Sequence, residues 1–271
     1  MKFSVLLSVH EKEIPGFLDR ALESIWREQT RKPDEIVLVE DGPLEDAHYR
    51  VIEYWLQEIG DSLKTIPLSE NVGISRAKNI GLQECSHDIV AIMDTDDVAI
   101  AERFEKQMEI FENGNIDLCS AWVAEFENGE NDIYAYRTVP KTHDEIVQFS
   151  RYRSPINHPA TIFRKSIALS VGGYEFNGGL CDYHFCVKMI MAGAKCHNIQ
   201  EPLVKMRAGK GLVSRRSGFR YALSDLKLQK KFLDMGFLNR RVFVTNCIVR
   251  VVVRLAPKSI VKAFYDRIRR I

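Results

Sequence analysis

Three short segments constrain the fold more than anything else in the chain: FSVLLSV (Phe3 to Val9), EIVLVE (Glu35 to Glu40) and DIVAIMD (Asp88 to Asp94). Each is a strand-length run of β-branched and other apolar residues. None shows the apolar–polar alternation of a strand with one wet face. Such strands need helices above and below them, and the sequence between them supplies these. IPGFLDRALESIWREQ puts Phe17, Ala21, Leu22, Ile25 and Trp26 on one side of a helix. YRVIEYWLQEI, ISRAKNIGLQEC and AERFEKQMEIFEN also read as helices, and KTIPL as a further short strand. This alternation predicts an α/β fold, a mainly parallel sheet flanked by helices. At 271 residues, 45% hydrophobic and 28% charged, the chain is long enough for one large domain or a domain with an appendage.

The net charge of +1 is unevenly laid out. From Leu203 to Ile271 there are 18 Lys/Arg against 3 Asp/Glu, which leaves 20 against 34 in residues 1–202. An acidic body with a basic tail directs the tail toward a polyanionic partner or an anionic membrane surface. Few aromatics interleave with the basic residues, which argues against nucleic acid. In the tail, FRYALSDLKLQKKFLDMGF is an amphipathic helix, and RRVFVTNCIVRVVVRLAPKSIVKAFYDRIRR mixes Val, Ile, Phe and Tyr with spaced cations. That composition suits peripheral association with an anionic membrane. The alternative is that the apolar face packs on the body of the protein or on a second copy, as a homodimer. No stretch has the length of a transmembrane helix; Val242 to Leu255 comes nearest and is broken by Arg250 and Arg254. The six cysteines form no CxxC pair, and no signal peptide opens the sequence, so reduced thiols in a cytoplasmic protein are expected.

Acids gather where the strands end. In an open α/β sheet, ligands bind in the crevice beyond the carboxyl ends of the strands. Asp41 follows the second apolar run, and Asp94, Asp96 and Asp97 crowd into MDTDDV. A single acid at such a place can cap the next helix, which is a sufficient reading of Asp41 or Asp97 alone. The trio is harder to explain, because like charges so close repel unless a cation sits among them. An all-oxygen set suits a hard divalent ion, Mn²⁺ or Mg²⁺, bridging to a phosphate-bearing substrate. Neither GxxxxGK[ST] nor GxGxxG occurs after the first strand, so phosphates would be held by metal and side chains rather than by a glycine nest.

In order along the chain, SVLLSVHEKE, VEDGP, NVGISRAKNIGL, DTDD, NHPATIFRKS and GGYEFNGGLCDYHFCVKMIMAG resemble the inverting family 2 glycosyltransferases, which have the GT-A fold. The resemblance implies a catalytic domain over residues 1–217, with a nucleotide-binding half (1–98) and an acceptor half (99–217). Basic amphipathic helices over 218–271 follow it. It further implies a metal-dependent transfer from a nucleotide-diphospho-sugar, with a UDP-sugar as first choice. The acceptor would be a saccharide on a polyprenyl diphosphate, in O-antigen, capsule or exopolysaccharide synthesis at the inner face of the cell membrane.

Position by position, the resemblance places Val9 and His10 at the base pocket and Asp41 against the base. Asn71 and Gly73 shape a loop from which Arg76 reaches the nucleotide. Asp94 falls near the ribose, and Asp96 at the metal, with Asp97 sharing either role. The Glu-Asp pair that supplies the base in such enzymes reads Cys181-Asp182 here, which makes Asp182 the candidate general base. Capping of the helix that follows is its structural alternative. His158 belongs either near the acceptor or to an ordinary loop. Where relatives carry YRxH, this chain has Met206-Arg207 and then Gly209, Gly211, Arg215 and Arg216. These suit a lid that closes on a diphosphate, or else a solvated basic loop. Two other functions compete. A sugar-phosphate nucleotidyltransferase would want a glycine-rich basic loop where this chain has SVHEKEIPG. A non-catalytic carbohydrate- or membrane-binding scaffold would not need the acid cluster together with Asp182.

Overall fold

A computed structural model describes residues 1–175, 180–208 and 218–255. Among these, nine strands form one sheet. Strands β1 (Phe3–Val9), β2 (Glu35–Glu40), β3 (Leu63–Pro67) and β4 (Ile89–Ile92) form its parallel half, in the order β3-β2-β1-β4. The apolar runs behave as two-faced strands. Val5, Leu7 and Val9 point into one core with Ile36 and Leu38, while Leu6, Val37 and Val39 point into the other. Helices α1 (Pro15–Trp26), α2 (Asp46–Ile59) and α4 (Arg103–Asn113) close the first face through Leu22, Ile25, Trp55, Phe104 and Phe111. The second face is closed by α3 (Ile74–Glu84), α5 (His143–Ser150), α6 (Lys165–Ser170) and α7 (Cys181–Met191), through Leu82, Ile146, Ala168 and Phe185.

The sheet is mixed rather than parallel throughout. Beyond β4 come β8 (Ile162–Arg164), β6 (Leu118–Phe126), β9 (Cys196–Arg207) and the two-residue β5 (Val98–Ala99), with β7 (Ile133–Arg137) paired to β6. Here β6 and β9 run parallel, and the other pairings are antiparallel. The link from β6 to β7 is a short turn, and a parallel neighbour would need a crossover of a dozen or more residues. The parallel half therefore carries the strand ends that line the crevice, and the antiparallel half builds the wall opposite.

The tail folds back onto this body. Helices α8 (Phe219–Asp234) and α9 (Arg240–Leu255) form a hairpin whose Leu228 and Phe232 pack with Leu180, Tyr183 and Val187. Asp225, fully buried, is ion-paired with Arg250 and with Arg254 (3.2 Å). Arg250 and Asn246 donate to the carbonyls of Tyr152 (2.7 Å) and Arg151 (2.8 Å). The amphipathic face of α8 is thus spent on the catalytic body, the alternative the sequence left open. Among the described residues no helix is long and apolar enough to cross a membrane. All six cysteines are free thiols, and burial pushes Cys85, Cys119 and Cys196 up to about 12, which leaves them unreactive.

Phe232 is 0% exposed and joins the hairpin to α7. Phe232→Ala is expected to cost about 3–5 kcal/mol. In urea denaturation followed by far-UV circular dichroism, hairpin and body should unfold in one shifted transition. A separate early transition for the hairpin would show that the packing is not cooperative.

Candidate active site

Because β1, β2 and β4 are parallel neighbours, their carboxyl ends open on one edge, and Val9, Asp41 and the 94–97 turn arrive there together. The Val9 side chain itself is buried in the core. Its contribution to the edge is a carbonyl, which accepts from the Asp41 N–H at 2.8 Å. Asp41 is buried, and its two carboxylate oxygens accept from the N–H groups of Val72 (2.7 Å) and Gly73 (3.1 Å). Asn71 Nδ2 donates to the Asp41 carbonyl at 3.1 Å. The first role of Asp41 is therefore to hold the 71–73 loop, rather than to cap a helix. Gly42 permits the approach: at φ 92° it sits where an added Cβ would lie 2.7 Å from the Asn71 nitrogen. Arg76 stands exposed on the first turn of α3, beside that loop.

The acid turn has three different environments. Asp94 receives a hydrogen bond from the buried ammonium of Lys78 at 3.1 Å. Asp96 is exposed, and its carbonyl accepts from Arg207 Nε at 3.2 Å. Asp97 is buried, and its Oδ1 accepts from the Arg207 N–H at 2.8 Å. The Arg207 guanidinium lies 3.8 Å from the Phe17 ring centroid and 4.6 Å from that of Phe126, so the end of β9 is fastened to the turn. Two further residues complete the cluster without having been singled out in the sequence. Glu13, from the loop after β1, accepts from the Thr95 hydroxyl. Arg103, fully buried, donates to the Ile92 carbonyl at 2.6 Å, under the same turn.

These contacts divide the acids. Burial opposes the ionisation of Asp94, but the Lys78 ammonium outweighs it and holds the carboxyl below its usual range. Burial raises Glu13 to about 7, with Asp96 and Asp94 adding repulsion. Burial, then Asp96 and Asp94, also raise Asp97 well above its ordinary value. Two carboxyls reluctant to ionise beside an exposed third is what a site short of one positive charge looks like. Among the described residues no three acid, His or Cys side chains converge closely enough to hold a metal by themselves. The residues do fit a hard cation that takes one or two carboxylates and completes its shell with water and phosphate oxygens. Of the three acids of the turn, Asp96 is the exposed one. Asp97, expected to share the metal, is instead buried and bound to the Arg207 backbone.

The opposite wall joins α3 to the segments around His158 and Tyr174. Lys78 Nζ lies 3.5 Å from His158 Nδ1, and His158 Nε2 lies 2.9 Å from the Tyr174 hydroxyl. Burial, then Lys78, lowers His158 to about 3, so the ring is neutral. Its Nδ1 accepts from the ammonium and its Nε2–H donates to Tyr174. Asn79 clamps the same turn by accepting from the Tyr174 N–H (2.8 Å) and donating to the Tyr174 carbonyl (2.9 Å). His158 is thus a satisfied interior residue, not a group facing an acceptor. Asp182 lies in the first turn of α7, two residues past the Leu180 cap, and its Oδ1 accepts from the Tyr183 N–H at 2.8 Å. Its charge is felt at both Lys78 and Tyr174, which places it by the same network. Arg215 and Arg216 lie outside the described residues. Lys78 had a legible signal: a lysine on the buried stripe of α3 with Ser75 and Leu82. Glu13 had none beyond its position after the first strand.

The sequence profile described as Glycosyl transferase family 2 matches residues 4–173. Over 99% of its length, and 97% of the relative's, the chain is 36% identical to a UDP-Gal:alpha-D-GlcNAc-diphosphoundecaprenol beta-1,3-galactosyltransferase of Escherichia coli. It is 35% identical to the amylovoran biosynthesis glycosyltransferase AmsE of Erwinia amylovora, over 99% of both chains. Among solved structures, S. aureus TarS 1–349 in complex with UDP-GlcNAc aligns with a TM-score of 0.68 at 16% identity, over 94% of this chain and 74% of that one. The chain spans 44% of the longer TarS chain. A Pyrobaculum calidifontis mannosyltransferase in complex with GDP-Man and Mn²⁺ aligns with a TM-score of 0.67 at 18% identity, over 93% and 69% of the two chains. At these identities the solved structures speak for the fold.

Two outcomes follow from the electrostatics. The folded Glu13 keeps its proton up to about 7, whereas the unfolded chain releases it near 4.5, so folding takes up a proton between those values. Stability from this group is present below pH 4.5 and is lost as pH rises toward 7. Its side chain is 27% exposed, so the loss should be about 1–2 kcal/mol rather than the full linkage value. Urea denaturation at pH 5 and pH 8 should show that difference in the wild type and a smaller one in Glu13→Gln. Lys78→Met leaves the Asp94 carboxylate without its cation; because that carboxylate is 32% exposed, the cost should be about 2 kcal/mol, below that of a fully buried pair. The Lys78→Met/Asp94→Asn double variant should recover part of it, and strict additivity would deny the coupling.

Proposed function

The chain belongs to glycosyl transferase family 2 and is a glycosyltransferase; from that premise we propose that it transfers a hexose from a UDP-sugar to a hydroxyl of a saccharide carried on a polyprenyl diphosphate, with inversion at the anomeric carbon. The observation that carries this reading is the shared surroundings of Lys78. One buried ammonium is bonded to Asp94 on the donor side and feels the charge of Asp182 on the acceptor helix. Donor acids and candidate base therefore border one crevice. The 36% identity to the E. coli galactosyltransferase over nearly the whole of both chains supports a UDP-sugar donor and a diphosphoundecaprenol-linked acceptor. Both similar bacterial enzymes support surface-polysaccharide synthesis as the setting.

In this reading the Val9 carbonyl, Asp41, the Asn71 loop and Arg76 form the nucleotide side of the crevice, and Asp94 meets the ribose. Asp96 holds a divalent cation, Mn²⁺ or Mg²⁺, with Asp97 buried behind it. When bound, that ion neutralises charge on the leaving diphosphate. Arg207 adds positive charge on the same side, and Arg215 and Arg216, expected to join it, lie outside the described residues. Asp182 accepts the proton of the acceptor hydroxyl as that oxygen attacks the anomeric carbon from the face opposite the diphosphate. The enzyme works at the inner face of the cell membrane, held there peripherally by its basic tail.

The test is a donor screen of UDP-, GDP- and dTDP-sugars with Mn²⁺ and a synthetic lipid-diphosphate sugar. A UDP-sugar should be used, EDTA should abolish turnover, and Mn²⁺ should restore it. Asp182→Asn should lower kcat by about 10³-fold with donor affinity retained. Turnover undiminished in that variant would remove Asp182 from the base role.

A further inference from the structure

The tail hairpin has one face that no described residue covers. On α9, Val244, Ile248, Val249 and Val252 are 52%, 60%, 54% and 63% exposed. Together with exposed Arg241 and Thr245 they fall within one arc of about 140° around the helix, at about 100° per residue. The opposite arc holds Asn246, Arg250 and Arg254, which bind Gln229, Asp225 and the 151–152 carbonyls. The two interior arginines are therefore structural, and the outward stripe is apolar by construction.

Its surroundings indicate what covers it. Helix α9 contains no acidic residue. Arg240 and Arg241 are exposed at its start, and the exposed Arg151, Tyr152 and Arg153 abut it through the Asn246 and Arg250 hydrogen bonds. Phe219, 68% exposed, sits beside the far end, where the Gly218 N–H donates to the Arg254 carbonyl at 3.1 Å. Apolar residues flanked by Arg240 and Arg241, on a helix without acids, match the boundary between acyl chains and anionic headgroups. A second copy of the chain matches poorly. The stripe offers four apolar side chains, where a stable dimer buries about 800 Å² per partner, drawn from about 20–30 residues a side. Self-pairing would also bring arginines together with no acid on the helix to answer them.

We propose that the outward face of α9, centred on Ile248 and Val252 and flanked by Arg240 and Arg241, is the surface by which this protein docks on a bilayer rich in anionic phospholipid. This deepens the reading of a membrane-linked acceptor and rests on it for its purpose. The docking face is one helix pair away from Asp182, because α9 packs on α8 and α8 packs on α7. Helix α8, the more conspicuous amphipathic segment in the sequence, packs inward through Leu228 and Phe232 and leaves only its exposed start at Phe219 beside this face.

The test is co-sedimentation of the full chain with vesicles of phosphatidylglycerol and phosphatidylethanolamine, against vesicles of phosphatidylcholine alone. Wild type should pellet with the anionic vesicles and not with the neutral ones. Ile248→Asp/Val252→Asp should lower partitioning roughly tenfold or more, with an unchanged unfolding midpoint, since both side chains are exposed. The milder Ile248→Asn serves if the double variant unfolds. Arg240→Gln/Arg241→Gln should weaken binding several-fold and reduce its salt sensitivity. Wild type that ignores anionic vesicles overturns the proposal, as does undiminished binding by the aspartate variant. A wild-type dimer in sedimentation velocity that the aspartate variant dissociates would assign the face to a second copy instead. Vesicle binding without sugar transfer would remove the proposed activity and leave this surface standing. Transfer to a detergent-dispersed acceptor without vesicle binding would do the reverse.

Discussion

A single buried ammonium ties the two halves of this enzyme together. Lys78 reaches Asp94 at the end of β4, His158 on the loop before β8, and through His158 the Tyr174 hydroxyl. Burying an ammonium is costly unless it is paired and hydrogen-bonded, so each of these partners is needed where it is. The consequence is geometric. The strand-end acid Asp94, the neutral histidine and the glycine turn ahead of α7 cannot shift independently, and the first turn of α7 carries Asp182.

The remaining acids show the opposite condition. Glu13 and Asp97 sit near Asp94 and Asp96, and burial makes both hold protons more tightly than free carboxyls do. A rigid turn pinned by Lys78, Arg103 and Arg207 keeps these groups from moving apart. The site is therefore pre-formed for positive charge. Rigidity at the turn and readiness for a cation are two results of the same packing.

The strand and helix pattern was legible because it is local. FSVLLSV and EIVLVE coincide with β1 and β2, and the acid-bearing strand ends followed from them. The antiparallel half was less legible, since β6, β8 and β9 pair across long separations that no periodicity encodes. The same limit explains the site residues. Asp41, Asp94 and Asp96 stand at strand ends, where the general rule for α/β sheets points. Glu13 and Arg103 enter the cluster only because the sheet brings β1, β4 and their flanking segments together. For His158 the sequence left an acceptor-side role and an ordinary loop residue both open, and its bonds to Lys78 and Tyr174 show a satisfied interior residue; Asp97 is buried and accepts from the Arg207 backbone.

The tail shows the division most clearly. By itself the sequence determined the α/β layering, the acid-lined strand ends, the family and the presence of two basic amphipathic helices, because each depends on residue type and spacing along the chain. Only the tertiary structure decided which acid stays charged, since that depends on a lysine 16 residues away being folded against it. It also decided which amphipathic helix is interior and which is surface. Apolar faces of similar strength occur on α8 and α9, and the Asp225 ion pairs and Phe232 packing bury one and turn the other outward. Amphipathicity says that a face must be covered; the packing says by what.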